Sequence, residues 1–253
     1  MSGLRITVAD RVATILLNRP EVLNAMRSED HRALHQACDE LEARDDVGAV
    51  LIRGSGRSFC SGSDLREIGD ITGAAARDYV RLDFTTKNRV AGLGKPVVAA
   101  IHGWCVGGGV ELALACDIRI AADDAVFSMR EVALGSVPGS GGLQRLPAVV
   151  GLGVAKDWIL TGRNVSAVDA ERRGLVTEVV PAAELAARAH ALAAELAGRN
   201  PTAVRLAKVA LDPRPEPDYG LVAAFQTLAG DACHGDPLYL ESTRKYTDKR
   251  GKP

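Results

Sequence analysis

Two acidic residues stand in surroundings that suit proton-transfer chemistry. Glu111 interrupts the apolar run Val110-Glu111-Leu112-Ala113-Leu114-Ala115. A carboxylate in a first helical turn gains from the helix dipole, so one reading is a helix-start acid. Its apolar neighbours point to burial, and a buried carboxyl needs a partner or an elevated pKa. Glu131 follows twenty residues later, between Phe127-Ser128-Met129-Arg130 and Val132-Ala133-Leu134-Gly135. A surface ion pair with Arg130 is its plain reading, and a second proton-transfer group is the sharper one.

Two glycine-rich segments could serve such acids. Gly54 to Asp64 follows an apolar strand pattern and precedes a helical one, and Trp104-Cys105-Val106-Gly107-Gly108-Gly109-Val110-Glu111 does the same. Glycine lets backbone approach a ligand closely and adopt positive φ. Amides at a helix N-terminus carry partial positive charge. Two such loops that converge supply two N–H donors to one oxygen, which is an oxyanion hole; two that do not are tight turns. Neither loop ends in the Gly-Lys-Ser/Thr of a phosphate-binding loop, and neither is GxGxxG. Gly139-Ser140-Gly141 lacks the first glycine of a nucleophile elbow, because Pro138 stands there.

The elements that would position these groups read as a mixed α/β chain. Arg5–Val8 and Val12–Leu17 read as a hairpin around Ala9-Asp10-Arg11. A helix from a Ser28 cap to about Arg44, a strand Gly48–Arg53, a helix capped by Asp64 and a helical stretch 73–92 follow. Pro96–Ile101, Asp117–Ala122, Val126–Ser128 and Leu175–Val180 read as strands, and Val110–Ala115 and 142–160 as helical. Two strands per helix predict repeated β-β-α units rather than strict βαβ alternation. After about residue 195 the pattern is helical, at 182–198 and 201–211, then past the proline-rich 212–217 at about 218–230 and 236–248. The expected organisation is an α/β core over 1–195 and a C-terminal helical region over 196–253.

Composition narrows the classes. The 253 residues are 47% apolar and 25% charged, the balance of a folded globular protein. A formal net charge of −1 gives no broad electrostatic footprint for nucleic acid. Five cysteines (Cys38, Cys60, Cys105, Cys116, Cys233) form no CxxC pair, so reduced buried thiols are expected rather than structural zinc or a disulfide framework. The apolar runs are too short to cross a bilayer, and the first residues lack a signal-peptide pattern. A cytoplasmic protein is expected, with no metal.

At this point several blocks in order resemble one family. Lys95-Pro96-Val97-Val98-Ala99-Ala100-Ile101-His102-Gly103, Gly107-Gly108-Gly109-Val110-Glu111-Leu112-Ala113-Leu114 and Cys116-Asp117 resemble the signature of the enoyl-CoA hydratase/isomerase (crotonase) superfamily. Glu131, Leu134-Gly135, Pro138-Gly139 and Gly141 to Leu146 continue it at matching spacing. Asn18-Arg19-Pro20, Leu23 to Met26, Phe59 to Leu65, Leu160 to Arg163 and Gly174 to Pro181 fit as well, so the resemblance runs from Leu4 to Ala210.

The resemblance implies a crotonase-like spiral of β-β-α units that acts on an acyl-CoA thioester without metal, flavin or nicotinamide. It implies an oxyanion hole from the amides of Ser63 and Gly108. Glu111 is implied to activate water, Glu131 to protonate Cα, and Gly139 to position the water. Ser61 and Arg66 are implied to bind the CoA moiety. Lys249, beside Arg250, is either part of a basic patch reaching CoA phosphates or a solvated tail. The C-terminal helices imply a homotrimer or a dimer of trimers, and the helical region 66–92 is expected to shape the acyl pocket.

The match is imperfect at Arg130, where many relatives carry proline; a guanidinium meeting Glu131 would weaken it as an acid. Glu21 replaces a common basic residue, and Ser63 a common alanine. Enoyl-CoA hydration leads among the readings because both glutamates are present. A double-bond isomerase, which can work with one carboxylate, or another acyl-CoA enzyme of the superfamily, and a non-catalytic acyl-CoA-binding subunit are the competitors.

Overall fold

The strands predicted from apolar runs lie side by side in one sheet, except Val126–Ser128, which joins a second. In the computed structural model, which describes residues 3–68 and 73–211, β1 (Leu4–Ala9) and β2 (Val12–Leu17) form the hairpin. Asp10 and Arg11 turn it with φ of 52° and 61°, as a two-residue turn between twisted strands requires. β3 (Ala49–Gly54), β5 (Val97–Ile101), β7 (Ile118–Ala122) and β10 (Glu178–Val180) extend it in parallel, giving the order β1-β2-β3-β5-β7-β10. Every residue of β5 is buried, which is why that strand reads as an unbroken apolar run rather than an alternation.

A second sheet is built from short strands, β4 (Ser58–Cys60), β6 (Trp104–Val106), β8 (Val126–Ser128) and β9 (Val165–Ser166). β3 leads to β4, β5 to β6 and β7 to β8, so each pair gives one strand to each sheet before the chain turns into a helix. This is the β-β-α spiral expected from the strand count. Sequence reading took β4 and β6 for loop, because three residues among glycines and serines carry no period of their own. It also missed β9 and the helix α7 (Ala167–Arg172).

The helices are α1 (Ser28–Glu42), α2 (Leu65–Ile68), α3 (Gly73–Ala91), α4 (Gly108–Ala115), α5 (Gly142–Val150), α6 (Leu152–Thr161), α7 and α8 (Leu185–Ala197). Ser28 is the first helical residue of α1, not its cap. The cap position is Arg27, whose amide donates to Asp30 at 2.9 Å. Asp64 does cap α2, accepting the Arg66 amide at 3.1 Å. β10 begins three residues later than expected, because Leu175 and Val176 pack into the core ahead of the sheet.

The core has two parts. One fills the space between the sheets and α1, α4, α5 and α6, with Leu34, Phe59, Leu112 and Phe127 among its fully buried side chains. The other covers the opposite face of the large sheet, where Leu185, Ala189, Ala193 and Ala197 of α8 meet Leu51, Val98 and Ile120. A four-residue spacing puts those α8 side chains on one stripe, and alanine lets the helix lie close to the strands. Residues up to Ala197 form one compact unit; of the second, which begins at Gly198, the described helix is α9 (Pro201–Leu211). Among the described residues no helix is long and apolar enough to cross a membrane. Cys38, Cys60, Cys105 and Cys116 are buried thiols; Cys233, the proline-rich 212–217 and the two last helical stretches lie outside the described residues.

Candidate active site

The first glycine-rich loop is fixed by Asn24. Its Nδ2 donates to the carbonyls of Ser55 (2.9 Å) and Ser58 (2.7 Å), and its Oδ1 accepts the Arg19 amide at 2.9 Å. The following residues run beside the loop: Ser61 donates to the Leu23 carbonyl, Met26 to that of Gly62 (2.8 Å), and Asp64 to that of Met26 (2.9 Å). In a parallel bridge of this kind the intervening residue turns its amide to the other side. The Ser63 N–H therefore faces away from Met26.

The second loop comes to meet it. Gly109 lies so close to β4 that a Cβ there would sit 2.2 Å from the Cys60 carbonyl oxygen, so α4 can dock only with glycine at this place. Gly108 opens α4, where amides have no intrahelical acceptor. A Cβ built on Gly62, whose φ is +95°, would lie 3.0 Å from the Gly108 nitrogen, and one on Gly108 would lie 3.6 Å from the Ser63 nitrogen. The two amides expected to form an oxyanion hole are thus brought together by backbones in contact.

Both glutamates flank this junction. Glu111 is 2% exposed, and its amide donates to the Gly107 carbonyl. Its Oε1 accepts two backbone amides from the loop before α5, Ser140 at 2.8 Å and Gly142 at 2.9 Å. Its Oε2 lies 3.6 Å from Nζ of Lys87 on α3. Lys87 is paired with Asp83 at 2.6 Å, and Asp83 also accepts from the Ser140 hydroxyl. None of these partners was legible as part of the site from the sequence. The available signal is that Tyr79, Asp83, Thr86, Lys87 and Val90 form one buried stripe of α3, which places two charges on an inward face.

Glu131 receives the opposite treatment. The Gly107 amide donates to the Ser128 carbonyl at 2.8 Å, which ties the end of β8 to the second loop and carries Glu131 over Gly107. A Cβ on Gly107 would be 3.3 Å from Glu131 Oε1. Both carboxyl oxygens are buried, and neither accepts a hydrogen bond from another described residue. Burial pushes the group up to about 7, with the Glu111 charge adding to it against its own amide. A buried, unsatisfied carboxyl is rare enough to call for a functional reason.

Arg130 does not meet Glu131. Its guanidinium donates to Asn164 (2.7 Å) and Ser128 (3.2 Å) and lies over the Trp104 ring, so the ion pair weighed from sequence is absent. Gly139 is exposed on the loop that holds Glu111, one residue before the Ser140 amide. Ser61 is half-buried with its hydroxyl donating to Val22, and Arg66 is exposed on α2. Lys249 lies outside the described residues.

The β-β-α spiral and the paired loops place the protein in the crotonase superfamily. The chain belongs to the enoyl-CoA hydratase/isomerase family, whose model matches residues 7–232. It is 36% identical to the short-chain-enoyl-CoA hydratase of Clostridium acetobutylicum over 95% of this chain and 92% of that one. It is 33% identical to the crotonyl-CoA hydratase of Syntrophomonas wolfei over 95% and 93%. The crystal structure of enoyl-CoA hydratase from Bacillus anthracis superposes with a TM-score of 0.93 at 35% identity, covering 98% of this chain and 97% of that one.

Proposed function

We propose that this protein is an enoyl-CoA hydratase that adds water reversibly, in the syn sense, to a 2-enoyl-CoA thioester, with Glu111 and Glu131 as its proton-transfer groups. The carrying observation is the unequal treatment of the two acids beside Gly107: Glu111 held by two amides and a cation, the Glu131 carboxyl oxygens buried with no donor.

In this reading the thioester oxygen accepts the amides of Ser63 and Gly108. Attack of water on Cβ moves the double-bond electrons onto that oxygen, and each well-placed donor lowers the barrier by about 3 kcal/mol. Glu111 takes the proton of the attacking water, and Glu131 gives its proton to Cα. The elimination direction reverses both transfers. The Gly139 backbone helps to place the water. No redox cofactor is called for in these steps, since carbon neither gains nor loses electrons overall, and the two carboxyl groups and two amides carry the proton transfers and the charge.

Ser61 and Arg66 fit a role at the CoA end, the latter as an exposed cation beside the first loop, with Lys249 as a further phosphate contact. Assembly as a homotrimer or dimer of trimers is supported by apolar side chains left in solvent, Leu134 and Leu160 (each 66% exposed) and Leu152 (60%). Buried thiols suit a reducing compartment such as the cytoplasm.

The test is direct. Purified protein mixed with crotonyl-CoA and no added cofactor consumes the enone absorbance, and Glu111→Gln and Glu131→Gln each lower kcat by about 10³-fold or more while CoA is still bound. Full activity in both variants would overturn the roles. Gain of enone absorbance from 3-enoyl substrates, with no loss from 2-enoyl ones, would favour the isomerase.

A further inference from the structure

A lysine with 1% of its surface exposed sits beside the reacting groups and has no part in the chemistry described so far. Lys87 Nζ is 2.6 Å from Asp83 Oδ1 and 3.6 Å from Glu111 Oε2, and a Cβ on Gly108 would lie 3.2 Å from it. We propose that Lys87, anchored by Asp83, is a positioning residue that fixes which glutamate of the pair is the base, by holding its positive charge in direct contact with Glu111 and farther from Glu131. The inference rests on the hydratase reading and extends it to a residue on α3.

The argument is one of charge and reach. Burial works against an ammonium ion, but Asp83 and Glu111 outweigh it and keep Lys87 above the ordinary lysine value. Asp83 is oriented in turn by the Ser140 hydroxyl and flanked by His31 Nδ1 at 3.4 Å. Ser140 thus binds both anions, Asp83 through its hydroxyl and Glu111 through its amide. The remaining titratable or charged groups facing the cluster are few. His31 on α1 is pushed down to about 4 by burial and is neutral, and the Cys60 thiol on β4 is pushed up to about 11. Arg145 on α5 donates to Asn88 and to the Ser140 carbonyl, and Glu131 lies across Gly107. Lys87 is therefore the cation placed directly against Glu111, and its stem enters from a helix distant in sequence from either acid.

A role limited to folding would leave the pH dependence of turnover unchanged, so the pH profile separates the two. In Lys87→Met the bell of kcat/KM against pH moves to higher pH by about one unit, and kcat falls about tenfold or more with KM for crotonyl-CoA little changed. Asp83→Asn leaves Lys87 with Glu111 as its near anion and moves the bell the other way. Lys87→Arg, which keeps the charge, restores the wild-type bell in part. Should Lys87→Met not fold, the Lys87→Met/Asp83→Asn double variant removes both charges together and shows a smaller shift in the upward direction. A carbon-13 NMR titration of the Glu111 carboxyl, assigned by its loss in Glu111→Gln, reads the same coupling without turnover. Superimposable bells and unmoved Glu111 resonances across these variants overturn the inference. A wild-type protein that hydrates no enoyl-CoA, yet whose Glu111 resonance responds to Lys87→Met, overturns the hydratase reading and leaves the coupling standing.

Discussion

Gly142 donates its amide to Glu111 Oε1 at 2.9 Å, and a Cβ on Gly142 would lie 2.9 Å from that same oxygen. The hydrogen bond and the absence of a side chain are therefore one requirement. The carboxyl can lie on the amide only because nothing projects from the α-carbon beside it.

Gly142→Ala is expected to displace the acid without deleting it. The new methyl would also meet Met129 Cε at 2.8 Å and the ring of Pro138 at 3.0 Å, and the proline cannot yield as a flexible methionine can. A displacement near 1 Å costs roughly 100-fold in turnover, and overpacking costs about 1–3 kcal/mol. Steady-state kinetics and urea unfolding of the variant check both. Wild-type kcat would show that the Gly142 contact does not hold Glu111 in place.

The pH dependence follows from Glu131. Hydration releases and consumes no net proton, so kcat/KM in the two directions must share one profile, and in the proposed mechanism the active form is the acid pair carrying a single proton. With Glu131 raised to about 7, both crotonyl-CoA hydration and 3-hydroxybutyryl-CoA dehydration should decline above about pH 7. Stability has its own sign. A carboxyl whose folded value is raised keeps its proton in the native state between 4.5 and about 7 while the unfolded chain loses it, so stability falls with rising pH across that window. The cost above it is on the order of 3 kcal/mol. Glu131→Gln should thus be more stable than wild type at pH 8 and close to it at pH 4, by denaturant titration at both.

Gly108→Ala tests the amide pair. A methyl there would be 3.4 Å from the Gly62 Cα and 3.6 Å from the Ser63 nitrogen, in the gap between the two donors. Interactions made only as charge develops are lost, so kcat/KM should drop by about 10²–10³-fold. The affinity for free CoA, which has no thioester oxygen, should stay within about twofold by calorimetry. Equal losses in both measurements would place the damage elsewhere.

Asn24 is the clamp behind the first loop. It is buried, its φ is +57°, and its side chain serves two carbonyls and one amide. Asn24→Ala should lower the unfolding free energy by about 3 kcal/mol through lost buried hydrogen bonds. Asn24→Gly should recover about 1 kcal/mol of that, because glycine adopts left-handed backbone without penalty. Urea curves for the pair separate the side-chain part from the backbone part.

The sequence by itself determined the spiral and marked the glutamates and glycine loops from which the candidate site is built. The central strands are apolar because both faces of the sheet are covered, and the glycines at 62, 108 and 109 are needed where two backbones touch, so both leave local marks. Glu111 was legible for a similar reason: an acid amid Val110, Leu112 and Leu114 must be buried. The tertiary structure decided how the acids differ. The amides on Glu111 come from residues 29 and 31 positions away, and its cation from α3. Whether Arg130 faced Glu131 or Asn164 turned on the approach of β9 to β8. Composition and spacing record what each segment needs from its neighbours in the chain. The charge and hydrogen bonds a buried group receives come from segments that folding brings beside it, and no local pattern encodes them.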